Sequence, residues 1–126
     1  MNKKSIIVIS LLLLVSLLVF CGCEPDKISL TVSETALVGT WHSSDAPKEY
    51  WRFDANHTGE TWDESEDVQE GEGTKFNWST QDDQLRLDLY GEMGQHVYYD
   101  YTIEAQTQTS FTWKDLYGNS RTFTKR

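Results

Sequence analysis

From Leu37 onward, apolar and polar residues exchange places at every second position, and helical spacing is absent. Alternation of this kind marks strands with one buried face. The runs are Leu37 to Ser43, Tyr50 to Asp54, Glu60 to Glu64, Thr74 to Thr80, Leu85 to Tyr90, His96 to Ala105, Ser110 to Asp115 and Arg121 to Lys125. Turn chemistry separates them: Ala55-Asn56-His57-Thr58-Gly59, Gln81-Asp82-Asp83-Gln84, Gly91-Glu92-Met93-Gly94 and Tyr117-Gly118-Asn119. Short connections make neighbouring strands antiparallel, so the pattern predicts an eight-stranded up-and-down meander.

One face of that meander is apolar throughout. It carries Trp51, Phe53, Phe76, Trp78, Leu85, Leu87, Leu89, Val97, Tyr99, Tyr101, Ile103, Phe111, Trp113 and Phe123, with Thr74 among them. Arg52, Lys75, Asn77, Arg86, Asp88, Asp100, Thr102 and Lys114 occupy the other face. No helix in the sequence is long enough to cover the apolar side. Closing the sheet into a small all-β barrel covers it and removes the edges. A two-sheet sandwich is the competing arrangement.

The first residues follow different rules. Asn2-Lys3-Lys4 precedes an apolar run from Ile6 to Phe20, then Cys21-Gly22-Cys23 and Glu24-Pro25-Asp26. The run falls short of the roughly 20 apolar residues that span a bilayer comfortably. A basic start, an apolar middle and a small residue before a cut make a secretory signal, helical if retained. Phe20-Cys21-Gly22-Cys23 resembles the lipobox of Gram-negative bacterial lipoproteins, whose last Cys is acylated and becomes the new N-terminus. The resemblance implies a signal peptide over 1–22, lipid (palmitate among its acyl chains) on Cys23 and a lipidated tether over 23–36, ahead of the barrel domain that the alternation predicts over 37–126. It also implies a place in the cell envelope, at the outer membrane, facing the periplasm or the cell surface. An ordinary secretory signal or an uncleaved anchor are the other readings. Cys21 and Cys23 are the only cysteines, so a lipidated Cys23 leaves no thiol for a disulfide or a catalytic site.

Charge narrows the partners. Without Lys3 and Lys4, 9 of the 11 basic residues remain against 20 acidic ones, a net of −11. Such a surface repels phosphates, so nucleic acid is not an expected partner.

Leu37-Val38-Gly39-Thr40-Trp41 resembles the Gly-x-Trp signature on the first strand of lipocalin-like domains. "YWRFDANHTGE", "LRLDLY", "YYDYTIE" and "RTFTKR" are similar to later strands of that family, and the resemblance covers about residues 36–126. It implies that Trp41 plugs one barrel end beneath an Arg from the far end of the chain, Arg121 or Arg126. It also implies kinship with the small lipocalin-like domains of bacterial lipoproteins. The disulfide and C-terminal helix of many larger lipocalins are missing. Apart from any family, Gly39 permits close backbone approach within a strand, and a cation over Trp41 is a favourable pair.

Eight strands enclose a space that side chains can fill or that one small molecule can occupy. The inward aromatics are read first as packed core. Trp51, Trp78, Tyr99 and Tyr101 are the residues that could instead line a ligand pocket. The acidic stretch "DESEDVQEGEG" (63–73) reads as a mobile, solvated loop; calcium is the alternative, but the EF-hand pattern is missing. His42, His57 and His96 fall in separate elements, so neither a metal site nor a cofactor is expected. Ser43-Ser44-Asp45 lies in no recognised nucleophile motif. The expectation is a monomeric, membrane-anchored protein that is not an enzyme. It would bind a small apolar or aromatic ligand, or act as a protein-interaction module: an envelope inhibitor, or a subunit of a surface complex.

Overall fold

A computed structural model describes residues 30–126. The expected signal peptide over 1–22, the Cys23 lipidation site and the first part of the tether lie outside the described residues. Eight antiparallel strands run in sequence order round a closed barrel: β1 (Gly39–Ser43), β2 (Glu49–Phe53), β3 (Thr58–Asp63), β4 (Thr74–Gln81), β5 (Gln84–Tyr90), β6 (His96–Gln106), β7 (Ser110–Lys114) and β8 (Ser120–Lys125). β8 closes the ring on β1, with Trp41 opposite Lys125 and Ser43 opposite Phe123.

The alternating positions face inward and fill the barrel. Trp41, Phe53, Phe76, Trp78, Leu85, Leu87, Ile103, Phe111, Trp113 and Phe123 form one buried cluster. Their rings meet mostly edge to face, as at Trp41–Phe111 (4.7 Å between centroids) and Trp51–Trp113 (5.2 Å). Edge-to-face contact suits the quadrupoles of neighbouring aromatic rings.

The two ends of the barrel differ. One is sealed by a short helix, α1 (Glu34–Leu37). Ser33 caps it, its side chain accepting from the Ala36 amide. Val32, Ala36 and Leu37 are buried, so the chain joins the domain before the Leu37 boundary expected for it. Leu37 therefore belongs to α1, and β1 begins only at Gly39, where φ is +139°. A Cβ on Gly39 would lie 2.7 Å from Lys125 Cε. The missing side chain makes room for Lys125, whose ammonium sits 5.2 Å from the centre of the Trp41 ring.

The cation over Trp41 is thus Lys125, where the family resemblance implied Arg121 or Arg126. Strand parity explains the difference. Arg126 follows Lys125 and lies on the outside, over Tyr50 at 4.9 Å. Arg121 points inward with Phe123 and Lys125, but from the opposite end of β8.

The acidic loop is held in place, where the sequence suggested a mobile segment. Glu64–Glu66 form a 3-10 turn capped by Asp63. The loop then folds back over the outside of β3, and Gly71 and Gly73 donate their amides to the Glu60 carboxylate at 2.8–3.0 Å. Arg52 adds a fourth contact at 3.3 Å. Glu60 is left only 1% exposed, and Trp62, also on the outer face, is buried beside it. Gly73 is required there, since a Cβ would come within 2.8 Å of Trp62 Cβ.

Candidate functional site

The open end of the barrel is bounded by the β1–β2, β3–β4, β5–β6 and β7–β8 connections. Its floor is aromatic. Tyr101 stacks on Trp113 with centroids 3.9 Å apart and planes 12° apart. Tyr99 continues the stack at 6.4 Å, and Trp51 meets Trp113 edge-on. Phe123 packs beneath Trp113 at 4.5 Å.

A polar cluster stands beside this plate, built from alternate residues of three neighbouring strands. Arg121 of β8 donates two hydrogen bonds to Glu49 of β2, at 2.8 and 3.1 Å, and one to the Ser43 hydroxyl of β1 at 2.8 Å. The Trp51 indole N–H donates to Glu49 at 2.9 Å. Glu49, by its hydrogen bonds, holds the Arg121 guanidinium above its ordinary range. Burial pushes the Tyr101 phenol up to about 12, so it is neutral at physiological pH. The site therefore offers a flat apolar surface, a neutral hydroxyl and a fixed ion pair. Ser43 Oγ accepts from Arg121 and from the Asp45 amide, and both neighbours are donors.

An opening of about 750 Å³ leads to this region between the acidic loop and the β5–β6 turn. Glu49, Trp51, Thr61, Thr74, Tyr90 and Glu92 are among its walls. Tyr99 and Tyr101 stand on β6, outside those walls; their stack with Trp113 reaches the opening through Trp51, which meets Trp113 edge-on.

Of the four residues singled out for a ligand, the fold brings Trp51, Tyr99 and Tyr101 to one aromatic plate. Trp78 lies apart. It is buried towards the sealed end, packs on Phe53, and donates its indole N–H to the Thr58 carbonyl. His57 covers its ring at 4.5 Å. Sequence reasoning missed Glu49 and missed the role of Arg121 here. The available signal was parity: Glu49 shares a face with Trp51 and Phe53, and Arg121 with Phe123.

Residues 35–123 match a family described as a family of unknown function (DUF5640). The chain belongs to that family. Neither the curated proteins nor the solved structures give a match. The family region runs from α1 to β8, so it takes in both the sealed end and the open one.

The histidines remain dispersed. His57 pairs with Glu34 and His96 with Asp88, each at 3.0 Å, on different strands or turns. His42 Nδ1 is buried without a hydrogen-bond partner. Among the described residues, no group of three or more His, Cys, Asp or Glu is placed to hold a metal ion. Among the same residues, no helix is long and apolar enough to cross a membrane.

Proposed function

We propose that this protein is a lipid-anchored, non-catalytic binding protein of the bacterial envelope that takes a small apolar or aromatic ligand at its open end. The asymmetry of the barrel carries the reading. Its lower part is packed solid and closed by α1, while the upper end combines an accessible opening with a flat aromatic plate. Stacking on such a plate rewards planar ligands, and the Arg121–Glu49–Ser43 cluster offers fixed polar points for orientation.

Lipid on Cys23 fits this polarity. The described chain enters at the sealed end, where the Val32 amide donates to the Asp82 carbonyl in the β4–β5 turn. A lipid a few residues upstream would tether the sealed end and leave the mouth facing away from the bilayer. Several acyl chains make such an anchor firm, where one would be marginal.

The test is native mass spectrometry of protein purified from its own membrane. Wild type should carry a small molecule that Tyr101→Ala loses, with the barrel still folded by circular dichroism. Protein that is consistently empty, or a ligand retained equally by the variant, would contradict the reading. The second reading, a protein-interaction module, is favoured by apolar side chains in the turns at this end: Met93 of the β5–β6 turn and Leu116 and Tyr117 of the β7–β8 turn are 80–91% exposed.

A further inference from the structure

β6 is the longest strand, and its two halves have different neighbours. Residues 96–102 pair with β5, whereas pairing with β7 begins only at Thr102 opposite Lys114. A bulge between Ile103 and Ala105 marks the changeover. β5 stays paired with β4 as far as Phe76 opposite Leu89, so the β5–β6 hairpin outgrows the barrel only on its β7 side. Among the described residues, its edge over 96–101 has no strand partner on the β7 side.

The lower half of β6 shows how the chain treats such an edge. Beyond Thr102 it has left β5, and there the Gln106 amide group clasps Ser33, donating to its carbonyl and accepting from its amide at 2.8–2.9 Å. The Ile103 amide donates to the Asp83 carbonyl. The upper half has no strand or clasp of this kind, and only the β7–β8 turn stands near it, Leu116 sharing a recess with Arg86 and Asp100. Its sequence, His96-Val97-Tyr98-Tyr99-Asp100-Tyr101, is rich in strand-forming residues. It lacks the Lys or Pro that natural edges use to refuse a partner. Val97 and Tyr99 on its inner face are 41% and 44% exposed, and Tyr98 on its outer face is 60% exposed.

We propose that this edge accepts an added β-strand: an extended segment of a partner polypeptide, alternating apolar and basic side chains, pairs with residues 96–101. Main-chain hydrogen bonds would supply affinity, and alternate side chains would supply selectivity. The apolar side chains of the added strand would fall on the inner side, against Val97, Tyr99 and the Tyr101–Trp113 plate. Leu116 and Tyr117 of the β7–β8 turn present further apolar surface at the same end. The outer side chains would lie beside Tyr98 and Asp100. Arg86 already holds Asp100 at 2.7 and 3.0 Å and lies over Tyr98, so the preference for basic residues comes from the charge of the whole domain: residues 30–126 carry 18 Asp and Glu against 8 Lys and Arg, a net of −10. The same charge disfavours a second copy of this chain as the occupant.

Amide hydrogen exchange by NMR, with two end-blocked synthetic peptides, tests the proposal. One reads Lys-Val-Lys-Tyr-Lys-Val and the other Glu-Val-Glu-Tyr-Glu-Val. The basic peptide should slow exchange within 97–101, and the acidic one should bind about tenfold or more weakly. N-methylation of alternate peptide amides should abolish the protection. Tyr98→Lys, which places a charge on the outer side of the edge, should weaken the basic peptide and leave the barrel folded. The proposal is overturned if neither peptide protects the edge or if N-methylation has no effect. It is overturned equally if the protein alone dimerises through 96–101 in sedimentation, since the occupant would then be a second copy.

Discussion

Trp41 ties the first strand, the helix and the last strand together. Its indole N–H donates to the Leu37 carbonyl at 2.8 Å, its ring meets Phe111, and Lys125 covers it. Trp41→Ala should cost about 3–5 kcal/mol in chemical denaturation, as large buried aromatics do. An unchanged midpoint would mean that the sealed end carries no weight in the fold. Tyr101 makes a second prediction at this scale. Its phenol is held near 12, mainly by burial, above the ordinary value of about 10. A raised pKa stabilises the fold fully below the unfolded value, and that contribution is lost as pH rises from about 10 towards 12. Tyrosinate absorbance should therefore show one late-titrating phenol that Tyr101→Phe removes. The plug role of Trp41 was an expectation of the family resemblance, carried by Gly39-x-Trp41 together with the strands behind it. The identity of its cation was not legible, because it depends on which parity of β8 faces inward and at which end.

Among the elements, the eight strands and their apolar face were readable directly from the period-two alternation. What alternation hides is the third layer. Glu60 and Trp62 occupy outward positions, and they are buried only because the 64–73 loop returns across them. A polar Glu at an outward position looks solvated until the Gly71 and Gly73 amides are seen to point at it. Glu60→Ala should release the loop, raise amide exchange at Gly71 and Gly73, and cost about 1–3 kcal/mol for the donors left unpaired. Slow exchange persisting in that variant would show that the loop is held by something else. α1 was equally hidden, since four residues are too few for a periodic signal. Its Glu34 carboxyl is held below the ordinary range, first by the hydrogen bond from Thr80, which desolvation opposes, and then by His57. A depressed pKa stabilises above the unfolded value of about 4.3, and the contribution is lost as pH falls through the folded value. Glu34→Gln should therefore flatten the acid limb of the stability profile, and an unaltered limb would remove this contact from the account.

At the scale of the whole molecule, closure of the barrel follows from having one apolar face and no helix to cover it. The asymmetry of its ends does not follow from the strand pattern. It arises where α1 closes one mouth while β5 and β6 outgrow β7 at the other. The candidate site was half legible for the same reason: Trp51, Tyr99 and Tyr101 were marked, but their separation from Trp78 depends on which end each strand position reaches. An anchor at Cys23 predicts that Cys23→Ala will release the protein from membranes and that Cys21→Ala will not; fractionation gives the answer, and the reverse result would move the lipid to Cys21. The tryptophans report most directly on the open end as the place of recognition. Labelled with 5-fluorotryptophan, the protein should give five fluorine resonances, one for each of Trp41, Trp51, Trp62, Trp78 and Trp113. On addition of an organic extract of the source membranes, Trp51 and Trp113 should shift while Trp41 and Trp78, at the sealed end, stay in place. Shifts confined to Trp41 and Trp78, or none at all, would contradict recognition through the open mouth.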